Sequence, residues 1–251
     1  MMKLIISLLF GLVGFAQAST TATYADATGD IDPGLNTGSG TLDILSMEVA
    51  NTATDINFKL TVNGNLSTTD WGKFMIGIAT GKTDGTQTGN SWGRPINLST
   101  DNDPFAAQIV GVNYWIGSWV DGGGGSSFSS YDNSNSSWSD PNSIASLSTA
   151  SISITAGATS EILYSLPLTS LGLTAGDSFW FDAYSSGGGG SDSALDSLAN
   201  PTVSVTSWAG PYTSYATTAG GPGLNFYTVV PEPSACLLLV LGAAGLLRRR
   251  R

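Results

Sequence analysis

Asp55-Ile56-Asn57-Phe58-Lys59-Leu60-Thr61-Val62 alternates polar and apolar side chains without a break. Successive side chains of a strand point to opposite faces, so Ile56, Phe58, Leu60 and Val62 line a buried face. Asp55, Asn57, Lys59 and Thr61 line a wet one. A helix of the same residues would scatter its apolar positions around the axis, so the segment predicts a β-strand with one side in a core.

The same reading extends outward along the chain. Segments of period two, or short apolar runs between Gly, Asn, Asp, Ser and Thr punctuation, occupy Leu42–Val49, Phe74–Thr80, Gln108–Val120, Ala150–Thr155, Ser160–Leu166, Ser178–Tyr184, Thr202–Trp208 and Leu224–Val230. Glycine and serine recur too often for long helices. Asp192–Leu198 predicts a two-turn helix and Leu168–Leu173 a single turn. Many short strands in one body of this length predict an all-β fold, an antiparallel two-sheet β-sandwich of jelly-roll type.

The segments flanking this body are different. Lys3 precedes an uncharged apolar run from Leu4 to Phe15, then Ala16-Gln17-Ala18 and Ser19, the layout of a signal peptide cleaved between Ala18 and Ser19. As a helix, Leu4–Phe15 reaches only about 18 Å, short of the roughly 30 Å hydrocarbon core. Beyond the body, Val230-Pro231-Glu232-Pro233 leads into the uncharged stretch Ser234–Leu247 and then Arg248, Arg249, Arg250 and Arg251. That stretch predicts a short transmembrane helix of about 21 Å, held on the cytoplasmic side by its arginines. The expected organisation is a signal peptide at 1–18, a β-sandwich domain at 19–229 and a sorting tail at 230–251.

Val-Pro-Glu-Pro, the hydrophobic stretch ending in Gly242-Ala243-Ala244-Gly245-Leu246-Leu247 and the arginine block together resemble the PEP-CTERM sorting signal. The resemblance covers Val230–Arg251. It implies an exosortase-type processing enzyme and the secretion machinery as partners, transient membrane insertion by the tail, and delivery of the body to the cell surface or extracellular matrix. A second resemblance runs from about Tyr24 to Thr80. Ala25-Asp26-Ala27-Thr28-Gly29-Asp30-Ile31, Leu42-Asp43-Ile44 and Ile56-Asn57-Phe58-Lys59-Leu60 are similar to the first strands of secreted DOMON-like and carbohydrate-binding β-sandwich domains, and no binding residue is carried over from them.

Composition narrows the chemistry. Without both flanking segments the body keeps four basic residues (Lys59, Lys73, Lys82 and Arg94) against eighteen acidic ones, a balance of −14. So little positive charge excludes phosphate neutralisation, hence nucleic acid as a partner. The single cysteine, Cys236, falls in the tail, and the 251-residue chain has no histidine. Ser-His-Asp hydrolysis, Cys-His proteolysis and imidazole-ligated zinc are therefore excluded. Glycoside hydrolysis needs two opposed carboxylates about 5–9.5 Å apart, and the two glutamates of the body, Glu48 and Glu161, sit on the polar alternation of strands. The body reads as non-enzymatic.

Two kinds of binding residue stand out. Trp71, Trp92 and Trp138 each lie among turn residues, where an exposed ring stacks on a sugar; a lid over one end of the sandwich is the alternative. Trp115, Trp119 and Trp180 belong to strands and to the core. Carboxylates gather as Asp30 with Asp32, Asp101 with Asp103, and Asp192 with Asp196, candidate donors for a structural calcium ion, which takes six to eight oxygens, or plain turn residues. The glycine runs Gly122–Gly125 and Gly187–Gly190 lack the lysine and following helix of a phosphate loop and read as flexible connections. Three functions remain, in order: a non-enzymatic surface or matrix protein, a carbohydrate-binding module for extracellular polysaccharide, and a glycan-active hydrolase or lyase.

Overall fold

The computed structural model describes residues 21–31, 34–35, 40–68, 72–83, 85–86, 112–120, 124–139, 151–189, 192–199, 205, 207–209 and 224–231. The segment expected as a signal peptide, the part of the expected sorting tail beyond Pro231 and the expected C-terminal helix lie outside them. No helix among the described residues is long and apolar enough to cross a membrane.

The chain forms an all-β sandwich of two antiparallel sheets. In the first, β1 (Ala22–Ala25), β2 (Ile44–Asn51), β3 (Asp55–Asn63), β9 (Thr159–Pro167) and β8 (Ser151–Thr155) lie in the order β1-β2-β3-β9-β8. The second runs β11-β10-β4-β5-β6-β7, built from β4 (Lys73–Ala79), β5 (Tyr114–Trp119), β6 (Gly125–Asp132), β7 (Ser137–Trp138), β10 (Ser178–Ser186) and β11 (Ala194–Ser197). The last strand, β12 (Asn225–Thr228), pairs with the first half of β10, and β11 pairs with the second half.

β3 behaves as its alternation requires: Ile56, Phe58, Leu60 and Val62 are fully buried, and β2 and β9 pair with it along its length. On the opposite face Lys59 bridges Glu48 at 2.9 Å and Glu161 at 3.5 Å, a charge ladder across three strands. A register shift between Ile44 and Ser46 adds one residue to β2, so Ile44 and Met47, three apart, both turn inward. The strand expected from Leu42 therefore begins at Ile44.

Between the sheets Phe58 meets Phe179 and Phe181, each with ring centroids 5.9 Å apart, and Tyr24 meets Phe181 edge-on at 5.0 Å. Ser118 Oγ in β5 and Tyr164 Oη in β9 share a hydrogen bond of 2.7 Å through this core. Burial of each such side chain is worth about 1.5–3 kcal/mol relative to exposure, and this apolar contact fixes the sheets face to face.

The second sheet has no comparable wet face in its middle strands. Phe74, Ile76, Ile78, Phe179, Phe181 and Ala183 face the first sheet, while Met75, Ala79, Trp115, Trp180, Tyr184, Ala194 and Leu224 form a separate buried cluster with Trp138 packed against it. Trp115 is fully buried there and donates its Nε1–H to Tyr184 Oη at 3.0 Å. Trp119, although on the same strand parity, is half-buried, and its ring lies over Gly125, where a Cβ would come within 2.2 Å of Cζ2. Only glycine fits at that position.

Two expectations are corrected. Asp192–Leu198 is not a helix: Ala194–Ser197 is a buried strand, because pairing with Tyr184–Ser186 satisfies its backbone while extending the sheet. Trp208 lies in a turn and not in a strand, and residues 202–204 and 206 of that expected strand are outside the described set. Leu168–Leu171 does form the expected single turn, a 3₁₀ helix closed by Gly172.

Candidate metal centre and C-terminal junction

The N-terminal strand leads directly into a group of carboxylates. After β1 the chain reaches Asp26, turns through Gly29 (φ 79°) and presents Asp30. Carboxylate oxygens of Asp26, Asp30 and Asp196 all lie within 4.8 Å of one another. Asp26 and Asp30 come from the edge of the first sheet; Asp196 comes from β11, at the edge of the second. Ile44 N–H, at the start of β2, donates to Asp196 Oδ2 at 2.6 Å across 152 residues of sequence. Ser185 Oγ donates to Leu42 O at 2.6 Å beside it. The cluster therefore sits where the two sheets meet at one edge of the sandwich.

Asp43 joins it from the residue before β2. Its side chain is buried, with a residual exposure of 2%, and its Oδ2 accepts hydrogen bonds from Gly29 N–H at 2.9 Å and Asn63 Nδ2 at 3.0 Å. The first of these bonds pins the turn between Asp26 and Asp30. Its other oxygen, Oδ1, is buried without a hydrogen-bond partner, as are Asp26 Oδ2 and Asp30 Oδ1.

The electrostatics follow from crowding. Two unit charges about 4.8 Å apart repel by roughly 3.5 kcal/mol at an effective dielectric of about 20. Burial raises the Asp26 carboxyl to about 7, and Asp30, Asp182 and Asp43 add repulsion, against a hydrogen bond from Ala27 N–H. Burial, then the charge of Asp43, raises Asp30. Asp196 is pushed well above the usual carboxylate range by burial first and by Asp26 and Asp30 next, against the amides of Ile44 and Ser197. Such a group of oxygens holds either protons or a hard cation.

Of the residues singled out from the sequence, Asp30 and Asp196 belong to this cluster, but not with the partners expected. Asp192 is elsewhere: its carboxylate accepts from Gly189 N–H at 2.7 Å and ties down the second glycine run. Asp32, Asp101 and Asp103 lie outside the described residues. The members missed were Asp26 and Asp43. Asp43 did carry a signal, an acid between Leu42 and Ile44 where an apolar segment begins.

Trp138, in the two-residue strand β7, meets the Tyr131 ring at 5.4 Å and packs against the outer cluster of the second sheet. Trp71 and Trp92 lie outside the described residues. Glu48 and Glu161 occupy the wet face, both bridged by Lys59.

At its other terminus the sandwich holds the chain up to Val230. Asn51, at the end of β2, accepts from Val230 N–H at 2.9 Å and Tyr227 Oη at 2.8 Å, and its Nδ2 donates to Val230 O at 3.0 Å. Pro231 is exposed. The remaining residues named for the sorting motif, Glu232, Pro233 and Arg248–Arg251, and the cleavage pair Ala18 and Ser19, lie outside the described residues. Compared with known proteins, the chain matches no family model and no curated relative.

Proposed function

We propose that the chain is a non-enzymatic exported surface or matrix protein, its β-sandwich delivered by a processed sorting tail of the PEP-CTERM type. One observation carries this reading. Asn51 grips both backbone polar groups of Val230, and the next residue, Pro231, is exposed and opens the Pro-Glu-Pro segment. On this reading the motif begins one residue beyond the last backbone groups that Asn51 holds. Proline lacks an amide proton and keeps the residue before it extended, which presents an accessible backbone to a processing enzyme. Cutting there leaves β12 and its hydrogen bonds to β10 intact, so the body survives loss of the tail.

The test is intact-mass analysis of protein released from the surface of cells that express the full chain with an exosortase-type enzyme. The expected species begins at Ser19 and lacks Arg248–Arg251, and Glu232→Ala traps the uncut precursor in the membrane fraction. Finding the arginine block on the released wild-type protein overturns the reading.

A further inference from the structure

We propose that Asp26, Asp30, Asp43 and Asp196 form a calcium site that staples the N-terminal segment and the two sheets together at one edge of the sandwich. Three observations point to this. The oxygens of Asp26, Asp30 and Asp196 lie within 4.8 Å of one another, and two oxygens on opposite sides of a calcium ion stand about 4.8 Å apart at a bond length of about 2.4 Å. Asp43, nine-tenths buried and more, holds the Asp26–Asp30 turn through Gly29 N–H, keeps its other oxygen buried without a partner, and is close enough for its charge to act on both Asp26 and Asp30. Three separate carboxylates there each carry a buried oxygen without a protein donor. Buried polar atoms are satisfied in folded proteins, and one cation would satisfy these oxygens together.

The donor chemistry selects the partner. All four side chains offer oxygen only, which suits calcium, magnesium or manganese over zinc or copper. Magnesium demands near-ideal octahedral geometry at about 2.1 Å and gives up its water reluctantly. Calcium accepts six to eight oxygens in flexible geometry, which suits carboxylates held by separate elements of the fold. The cation would also explain why the chain places acids at Asp43, between Leu42 and Ile44, and at Asp196, after Ala194 and Leu195: the four ligands come from three elements, and one ion ties the loop after β1, the approach to β2 and β11 into a unit.

The experiment is calorimetric titration and thermal melting of the full-length protein after chelator treatment, with calcium chloride or magnesium chloride as the probe. One calcium ion per chain is expected, bound with a dissociation constant between about 10⁻⁵ and 10⁻³ M and at least about tenfold more tightly than magnesium. At about a hundred times that constant, the folding equilibrium shifts about 100-fold by mass action, a rise in Tm of roughly 5–10 °C for a domain of this size. Asp43→Asn and Asp196→Asn should abolish the calcium-dependent rise, each read against the same variant in chelator. Glu161→Gln, on the wet face, should keep the full response. Absence of any calcium effect at 10 mM, equal binding of magnesium, or retention of the response in both asparagine variants overturns the site.

Discussion

The two sheets solve the same folding problem in different ways. The first buries one face and wets the other, where the Glu48–Lys59–Glu161 ladder meets solvent. The second buries both faces of β4, β5 and β10: Phe74, Ile76, Ile78 and Ile116 enter the shared core, while Met75, Trp115, Trp180 and Tyr184 enter a second cluster behind it. Their sequences differ accordingly. β3 alternates strictly, whereas Phe74-Met75-Ile76-Gly77-Ile78-Ala79 and Phe179-Trp180-Phe181 run without polar interruption, as strands buried on both sides do. Alternation reports a face to water; its absence reports cover on both sides.

The sharpest way to break this comparison is to hollow out one residue on each face. Trp115→Ala, behind the second sheet, and Phe58→Ala, in the shared core, are both expected to cost about 3–5 kcal/mol by urea denaturation. A loss below about 1 kcal/mol for Trp115→Ala alone would show that the outer face of the second sheet is wet after all.

A smaller effect tests the contact between the sheets. Tyr164→Phe removes the hydroxyl that meets Ser118 Oγ and is expected to lower stability by about 1–2 kcal/mol, with no change in the denaturant slope. A neutral result would mean that the sheets are held by apolar contact alone.

The smallest effect belongs to the wet face. Lys59→Met leaves Glu48 and Glu161 without their bridge, yet all three side chains are about a third or more exposed. Exposed pairs contribute about 0–1 kcal/mol, so the variant should stay within about 1 kcal/mol of wild type, with the difference shrinking at high salt. A larger cost would mean that this face is not solvated.

How much was legible beforehand follows the same division. β3, β9 and the Leu168–Leu171 turn could be read from the sequence because each is a local pattern. Asp192–Leu198 could not, since its spacing of Ala194, Leu195 and Leu198 suits a helical stripe as well as a buried strand. Pairing with the end of β10 decided between them. β1 and β6 escaped for a related reason: Ala22–Ala25 is short, and Gly125–Asp132 is rich in serine that alternation does not mark as buried.

The candidate site shows the division most clearly. Asp30 and Asp196 stood out as acids, and each was matched with its neighbour in sequence, Asp32 and Asp192. The structure groups them instead with Asp26 and with each other, beside a hydrogen bond from Ile44 N–H to Asp196 that spans 152 residues. By itself the sequence determined the strand-forming periodicity, the acidic balance, the lack of histidine and the point at which Pro-Glu-Pro interrupts the chain, because these depend on residues near one another or on simple counts. Only the tertiary structure decided which face of each sheet is covered and which carboxylates share a site, because those outcomes depend on the register and edge contacts of strands distant along the chain.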